Sequence, residues 1–130
     1  MVLKKYLAES CRYTPSDLKD RGEGTLICDL NAGALPDFPA HDVAVFSGVL
    51  EYVNDVPRVI SHLANFVAVV IASYAVVDYN PTKLDRRASG WVNDYSSAEF
   101  EKIFCQCGFG LDRIEKWRSQ NIYRFVRNDS

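Results

Sequence analysis

The 130-residue sequence lacks several features that would assign it to a specialised class of protein. Its longest apolar run, residues 66–72 (FVAVVIA), is far too short to cross a bilayer, so we expect no membrane partner. Its net charge of −2 provides no basic excess, which argues against a nucleic-acid partner. Because it contains no internal repeat, low-complexity tract or linker, we expect a single domain spanning residues 1–130.

Cysteine and histidine are also scarce, with four and two residues respectively. Cys28 falls within a predicted buried strand, where a free thiol behaves as a small hydrophobic group. Cys105 and Cys107 are close enough to suggest a metal site, but no histidine or further cysteine pair accompanies them, which favours structural thiols. We therefore expect no disulfide framework, no metal and a reducing, cytoplasmic setting.

What the sequence does contain is an alternation of strand-like and helix-like segments. Short apolar runs predict strands at residues 26–30, 43–46 and 66–72, and the unbroken run VAVF at 43–46 suits a sheet covered on both faces. Helices are predicted over residues 2–10, from Asn54 or Asp55 onward with Pro57 in the first turn, and from Ser96 or Ser97 to about Cys105.

The last third of the sequence predicts a hairpin. Residues 111–117 and 122–126 have the composition of strands, and the short connection between them favours an antiparallel pair at the edge of a sheet. We interpret Arg118, Arg124 and Arg127 as part of its solvated face. Strands that alternate with helices and close on a hairpin predict a three-layer α/β domain.

Two acidic residues follow predicted strands near the start of the chain. Asp29 comes near the end of strand 26–30, and Asp17 follows the extended segment RYTPS. The carboxyl ends of strands face the crevice where open α/β sheets bind ligands, and a carboxylate accepts two hydrogen bonds at once. Alternatively, Asp29 is a water-exposed strand end and Asp17 caps the turn that follows it.

The order of these segments resembles a known family. Over residues 12–127 the chain resembles class I S-adenosylmethionine (SAM)-dependent methyltransferases. The segments that carry the resemblance are ICDLNAGALP, HDVAVFSGVLEYVNDV, VAVVIASY, SAEFEKIFCQCGF and the final strand pair. The resemblance implies a Rossmann-like sheet, mostly parallel with a C-terminal antiparallel hairpin, and SAM as the cofactor. The family's first strand and the glycine-rich turn after it have no counterpart here, so we expect an N-terminally truncated domain.

The connection between the first two predicted strands is unusually short for this family. Eight residues separate Asp17 from Leu26, whereas a parallel crossover normally takes about a dozen or more. These strands are therefore either joined very tightly or are not a standard parallel pair. Without the family's first strand, two sheet edges are left open, which predicts closure of the gap or a homodimer.

The resemblance also implies individual roles. Asp29 would accept a hydrogen bond from the adenine amino group, Asp17 would hold the ribose hydroxyls, and the turn at residues 50–52 would lie beside the methyl donor. The residues implied to bind SAM are Asp17, Asp29, Leu30, Ser47, Gly48 and Leu50. Those implied to bind the methyl acceptor are Glu51, Tyr52, Tyr74, Trp91, Asn93 and Tyr95.

Each of these roles has a simpler structural alternative. Glu51 and Tyr52 are equally suited to pack on the sheet at the start of a helix. Trp91 is equally suited to cover an apolar patch in a surface loop. The catalytic residue stays unknown, because no side chain has the character of a general base.

The sequence therefore supports three functional hypotheses. The first is methyl transfer from SAM to an unidentified small-molecule acceptor, driven mainly by positioning of the two reactants. The second is a non-catalytic methyltransferase-fold remnant that acts as a binding or interaction module. The third is an incomplete gene product without independent activity.

Overall fold

The computed structural model describes residues 16–17, 26–27, 30–31, 35 and 42–128. The chain divides into two compact units, Met1–Pro36 and Asp37–Ser130, and each is described by itself. The predicted helix over residues 2–10 lies outside the described residues.

In the first unit, strand β1 (Ser16–Asp17) pairs with strand β2 (Leu26–Ile27) in parallel. Ser16 lies opposite Leu26, and Asp17 lies opposite Ile27. The short connection thus joins a parallel pair, and the alternative of a non-parallel arrangement is wrong. Leu30, predicted to end β2, lies in a turn with Asn31 instead.

The second unit contains one four-stranded mixed sheet with the order β3-β4-β6-β5. β3 and β4 are parallel, and β6 runs antiparallel to both β4 and β5. The last strand therefore lies inside the sheet, and β5 forms the edge at which the hairpin was predicted. The elements in chain order are β3 (Val43–Phe46), a 3₁₀ turn (Leu50–Tyr52), α1 (Val56–Leu63), β4 (Val69–Tyr74), α2 (Lys83–Ala88), α3 (Ser97–Gln106), β5 (Phe109–Trp117) and β6 (Gln120–Arg127).

Helix α1 forms where the capping signals predicted it. Of the two candidates, Asp55 is the N-cap of the helix, because its carboxylate accepts a hydrogen bond from the Arg58 backbone N–H at 3.2 Å. Pro57 lies in the first turn, where its missing N–H removes no helical bond. The helix buries an apolar stripe formed by Val56, Val59, Ile60 and Leu63.

Strand β4 begins and ends later than the predicted strand at residues 66–72. The backbone N–H groups of Phe66 and Val67 both donate to the Leu63 carbonyl, at 2.9 and 3.2 Å, and so complete the end of α1. At the other end, Tyr74 remains in the strand, and its ring stacks on Phe100 with 4.5 Å between centroids. Tertiary packing thus moves the start of this strand by three residues and its end by two.

Helix α3 provides the aromatic part of the core. It starts with a capping box in which the Glu99 N–H donates to Ser96 Oγ and the Ser96 N–H donates to the Glu99 carboxylate. It ends before Gly108, whose φ of +94° lies in the left-handed region that favours glycine. Phe104 stacks on Phe125 of β6, with 3.9 Å between ring centroids.

The sheet faces differ in exposure. On one face of β4, Val70, Ala72 and Tyr74 are fully buried. On the other face, the neighbouring strand β3 exposes Val43 and Val45 by 42% and 43%. The expectation that β3 is covered on both faces is therefore wrong.

Helix α2 was missed in the sequence. Its six residues, KLDRRA, contain no apolar stripe, and the residue it buries is Arg86. A helix held mainly by one buried cation has no hydrophobic period to reveal it.

Candidate functional site

The candidate site lies where β3 and β4 end. Because the two strands are parallel, with Phe46 opposite Ala72, the segments that follow them leave the same edge of the sheet. The turn at residues 47–53 follows β3, and the long segment at residues 75–95 follows β4. This is the edge where ligands bind in open α/β sheets.

An open cavity of about 340 Å³ occurs at this edge. The Gly48 N–H donates to Ser73 Oγ at 2.9 Å, which links the two strand ends. Gly48 has a φ of +64°, and a side-chain carbon added there would meet no atom within 4 Å, so its backbone faces open space. The residues that line the cavity are Ser47, Gly48, Ser73, Trp117, Gln120 and Ile122.

Beside the cavity lies a buried carboxylate. Glu51 is 2% exposed, and its Oε2 accepts a hydrogen bond from the Ala75 N–H at 3.0 Å. Among the described residues, its Oε1 is buried and has no hydrogen-bond partner. Burial raises the pKa of Glu51 above its ordinary value, because the charged form loses hydration. Glu51 therefore ties the turn after β3 to the end of β4.

Arg86 is the centre of a buried hydrogen-bond network. It lies on the short helix α2 and is 1% exposed. Its guanidinium donates to the carbonyls of Ala75 and Asn93, at 2.7 and 2.9 Å. It also donates to the Tyr74 hydroxyl at 3.2 Å and to the Asp94 carboxylate at 2.8 Å. The Arg86 side chain thus links helix α2 to the end of β4 and to residues 93–94.

Tyr74 and Asn93 complete the network. The Tyr74 hydroxyl donates to Asn93 Oδ1, and Asn93 Nδ2 donates to the carbonyls of Leu50 and Val53, each at 2.8 Å. Burial raises the pKa of Tyr74 to about 12, so its hydroxyl stays protonated near neutral pH. We call Glu51, Tyr74, Arg86 and Asn93 the buried cluster.

The acidic partner at the surface of this cluster is Asp94. Arg87 donates to both of its oxygens, and Arg86 donates to one of them. The hydrogen bonds from Arg87 hold the pKa of Asp94 below its ordinary value. Trp91 lies close by, with the Arg86 guanidinium 5.1 Å from its ring centroid.

The residues implied to bind SAM lie in different environments. Ser47 and Gly48 line the cavity, whereas Leu50 is fully buried. Leu30 belongs to the first unit. Asp17 is described only by its backbone, and Asp29 lies outside the described residues.

The residues implied to bind the acceptor are divided in the same way. Glu51, Tyr74 and Asn93 belong to the buried cluster and point their polar groups inward. Tyr52 is exposed, and Trp91 and Tyr95 are half-buried. The ligand roles of all twelve residues stay predictions.

Some residues of the site carried no usable signal in the sequence. Arg86 stands in a run of charged residues, where an arginine is ordinarily solvated. Trp117 and Gln120 were interpreted as residues of a terminal hairpin, and only the pairing of β6 with β4 brings them to the cavity. Ser47 and Gly48, which the resemblance implied to bind SAM, line the cavity, and their binding role stays a prediction.

Residues 16–17, 26–27, 30–31, 35 and 42–128 contain no group of three metal-ligating side chains, and none of their helices has the length and apolar character to cross a membrane. Cys105 and Cys107 are free thiols. Burial raises the pKa of Cys107, which makes it a poor nucleophile. The predicted cytoplasmic setting stays a prediction.

Comparison with known proteins gives similarity at the level of structure. No protein-family model matches the sequence, and a search of curated proteins finds no match. Among solved structures, a SAM-dependent methyltransferase from Mesorhizobium loti superposes with a TM-score of 0.68 at 17% identity, over 84% of this chain and 71% of its own.

Two further methyltransferases superpose on a similar share of this chain. Magnesium protoporphyrin IX methyltransferase from Synechocystis PCC 6803, with bound SAH, has a TM-score of 0.59 at 22% identity, over 80% of this chain and 51% of its own. The O-methyltransferase NcsB1 from neocarzinostatin biosynthesis, in complex with SAM and 2-hydroxy-5-methyl naphthoic acid, has a TM-score of 0.63 at 19% identity, over 80% of this chain and 33% of its own.

The chain thus has the Rossmann-like α/β fold of class I SAM-dependent methyltransferases, as the sequence predicted. It spans about half the length of the Synechocystis enzyme and about a third of NcsB1.

Proposed function

We propose that the chain is a SAM-dependent methyltransferase-like domain that transfers a methyl group to a small-molecule acceptor. The observation that carries the proposal is the open cavity at the carboxyl ends of β3 and β4, next to Gly48. Its volume, about 340 Å³, falls in the range of small-molecule sites. The similar fold of methyltransferases solved with SAM or SAH supports the choice of cofactor.

The residues around the cavity fit this cofactor. A side-chain carbon at Gly48 would extend into open space, so the backbone there is accessible to a bound molecule. Ser47 is exposed directly beside it and offers a hydroxyl. We assign Ser47 and Gly48 to contact with the donor, and Asp17 and Asp29 to its ribose and adenine. When bound, SAM supplies an electrophilic methyl group.

The chain's own contribution to such a reaction is positioning. Glu51 and Asn93 fix the turn after β3 against the segment after β4 through buried hydrogen bonds. The described residues that line the cavity include no titratable side chain. The domain would therefore accelerate transfer by holding donor and acceptor in line, and a proton on the acceptor atom would pass to solvent rather than to a side chain of the described cavity lining.

A binding or interaction module without transferase activity is the second candidate. It is favoured by the internal hydrogen bonds of Glu51, Tyr74 and Asn93, which are unavailable to a ligand while the buried cluster is formed. A homodimer stays a prediction. It is supported by β3, which stands at one end of the four-stranded sheet formed by the described residues and exposes Val43 and Val45.

Isothermal titration with SAH at millimolar concentration tests the proposal. We expect saturable heat that is lost in Asp29→Ala. Asp85→Ala is the matched control, because it removes the same charge from an exposed position on α2 and should leave binding unchanged. If no heat is observed, the cofactor assignment is wrong and the second candidate stands.

A further inference from the structure

The hairpin between β5 and β6 forms one wall of the cavity. Trp117 pairs with Gln120, so Arg118 and Ser119 form a two-residue turn at the same edge where β3 and β4 end. Trp117 lines the cavity, yet 52% of its surface is exposed. A large aromatic ring that is open to solvent at a cavity is a platform on which a flat ligand can stack.

Arg118 adopts a backbone conformation that its side chain disfavours. Its φ of 56° makes it the one non-glycine residue in the left-handed region among those the structure describes. Two-residue hairpin turns require positive φ at this position and normally use Gly, Asn or Asp there. A strained arginine next to a cavity points to a role for its side chain.

The charge of Arg118 is also available. Its guanidinium lies 4.6 Å from the centroid of the Trp117 ring, and within residues 42–128 it makes no hydrogen bond or salt bridge. By contrast, side-chain hydrogen bonds are made by Arg86, Arg87, Arg113, Arg124 and Arg127. An unpaired guanidinium offers two parallel N–H donors, which suit a carboxylate.

Two further groups of the cavity can orient a polar substituent. The Ser73 hydroxyl accepts from the Gly48 N–H and keeps its own proton to donate. Gln120 offers both a donor and an acceptor on the hairpin side. The cavity therefore has polar groups at both strand ends and an aromatic ring at the hairpin, and the Arg118 guanidinium lies against that ring, outside the cavity lining.

Building on the proposed function, we infer that the methyl acceptor is a planar aromatic carboxylate. Its ring lies against Trp117, its carboxylate pairs with Arg118, and its opposite end extends toward Ser73 and the Gly48 turn. This assigns Trp117 and Arg118 as the residues that select the acceptor.

Fluorescence of Trp117 tests the inference. Trp91→Phe leaves Trp117 as the only tryptophan, so its emission reports on the cavity. The probes are 4-hydroxybenzoate, phenol, which lacks the carboxylate, and cyclohexanecarboxylate, which lacks the aromatic ring. We expect saturable quenching by 4-hydroxybenzoate and at least about tenfold weaker binding of the other two, as expected for loss of a charge-assisted hydrogen bond or a stacking contact.

Variants of the hairpin assign the effect to Arg118. In the same background, Arg118→Gln should weaken 4-hydroxybenzoate binding about tenfold and leave phenol binding unchanged. Arg124→Gln is the control, because it removes an exposed positive charge, paired with Asp112, from β6 and should change neither. Equal binding of the three probes, no saturable quenching, or an unchanged Arg118→Gln would overturn the inference.

SAH calorimetry on the same proteins separates this inference from the proposed function. Arg118→Gln should keep the heat of SAH binding. If SAH binds and 4-hydroxybenzoate does not, the acceptor assignment fails alone. If 4-hydroxybenzoate binds and SAH does not, the methyl-donor proposal fails, and Trp117 and Arg118 remain a carboxylate site without a transferase role.

Discussion

The buried cluster and the open cavity lie side by side at one edge of the sheet and use polar residues in opposite ways. In the buried cluster, Glu51, Tyr74, Arg86 and Asn93 are between 0 and 9% exposed. Tyr74, Arg86 and Asn93 bond mainly to one another and to backbone carbonyls, and Glu51 accepts from the Ala75 N–H. In the cavity, Ser73 and Gln120 keep hydrogen-bonding capacity, and Trp117 faces solvent. A polar residue at a strand end therefore indicates a ligand site only where its polar atoms remain accessible.

The largest expected effect comes from removing the cation of the buried cluster. Arg86→Ala leaves the carbonyls of Ala75, Asn80 and Asn93 without this donor and removes one of the two donors of the Tyr74 hydroxyl, so we expect a loss of about 3–5 kcal/mol in the free energy of unfolding. Chemical denaturation measures this loss. Arg87→Ala is the control, since it removes an exposed partner of the same Asp94 and should cost far less. Equal losses in the two variants would mean that burial does not distinguish them.

The next effect concerns the buried carboxylate and depends on pH. Folding raises the pKa of Glu51 above its ordinary value of 4.5 through burial, so the folded state disfavours the ionised form. The wild-type protein should therefore lose stability as pH rises from that value through the raised pKa. The glutamine in Glu51→Gln cannot ionise. The free energy of unfolding of this variant should therefore exceed that of the wild type by an amount that grows with pH, to about 1–3 kcal/mol at the highest pH measured.

Denaturation curves collected between about pH 4 and about pH 8 check this prediction. The lowered pKa of Asp94 acts in the opposite direction, because its contribution is present above its ordinary pKa and is lost as pH falls through the lowered one. The wild type and Glu51→Gln should therefore lose this contribution of Asp94 equally as pH falls. A constant difference between them at all pH values would show that Glu51 does not titrate with a raised pKa.

A smaller effect is expected in the cavity. Gly48→Ala places a side-chain carbon in open space but at a φ of +64°, so the cost is conformational, about 1–2 kcal/mol. Gly48→Asn should cost less, because asparagine tolerates this region better. Thermal melts of the two variants measure the difference. Should asparagine be as costly as alanine, a contact rather than the backbone would set the requirement for glycine.

The smallest effect has the opposite sign. Arg118→Gly relieves the left-handed conformation of a non-glycine residue, and we expect a gain of up to about 1 kcal/mol, reduced by the greater freedom of glycine in the unfolded chain. Ser119→Gly, the neighbouring control, should give no gain. The two thermal melting temperatures provide the comparison, and a destabilised Arg118→Gly would show that the arginine stabilises the hairpin itself.

Prediction from the sequence succeeded where one local signal decides the outcome. Asp55 and Pro57 start α1, Ser96 starts α3, and the VAVF run forms β3. Ser47 and Gly48 directly follow that strand and line the cavity, and their role in binding stays a prediction.

Prediction failed where contacts with residues distant in sequence determine the orientation of a side chain or the start of a strand. No local pattern shows that Tyr74 faces inward, because Arg86 and Asn93, which bind its hydroxyl, lie 12 and 19 residues further along the chain. Likewise, β4 starts at Val69 because Phe66 and Val67 complete the preceding helix. Neither outcome leaves a periodic pattern in the local sequence.

The sequence by itself determined the alternation of strands and helices, their caps, and the edge of the sheet at which polar residues gather. These follow from hydrophobic periodicity and from side chains that act on their own backbone. The tertiary structure alone decided which of those polar residues are buried in hydrogen bonds and which face the cavity. That choice depends on burial and on pairing between β4 and β6, which bring together groups about 50 residues apart in the chain.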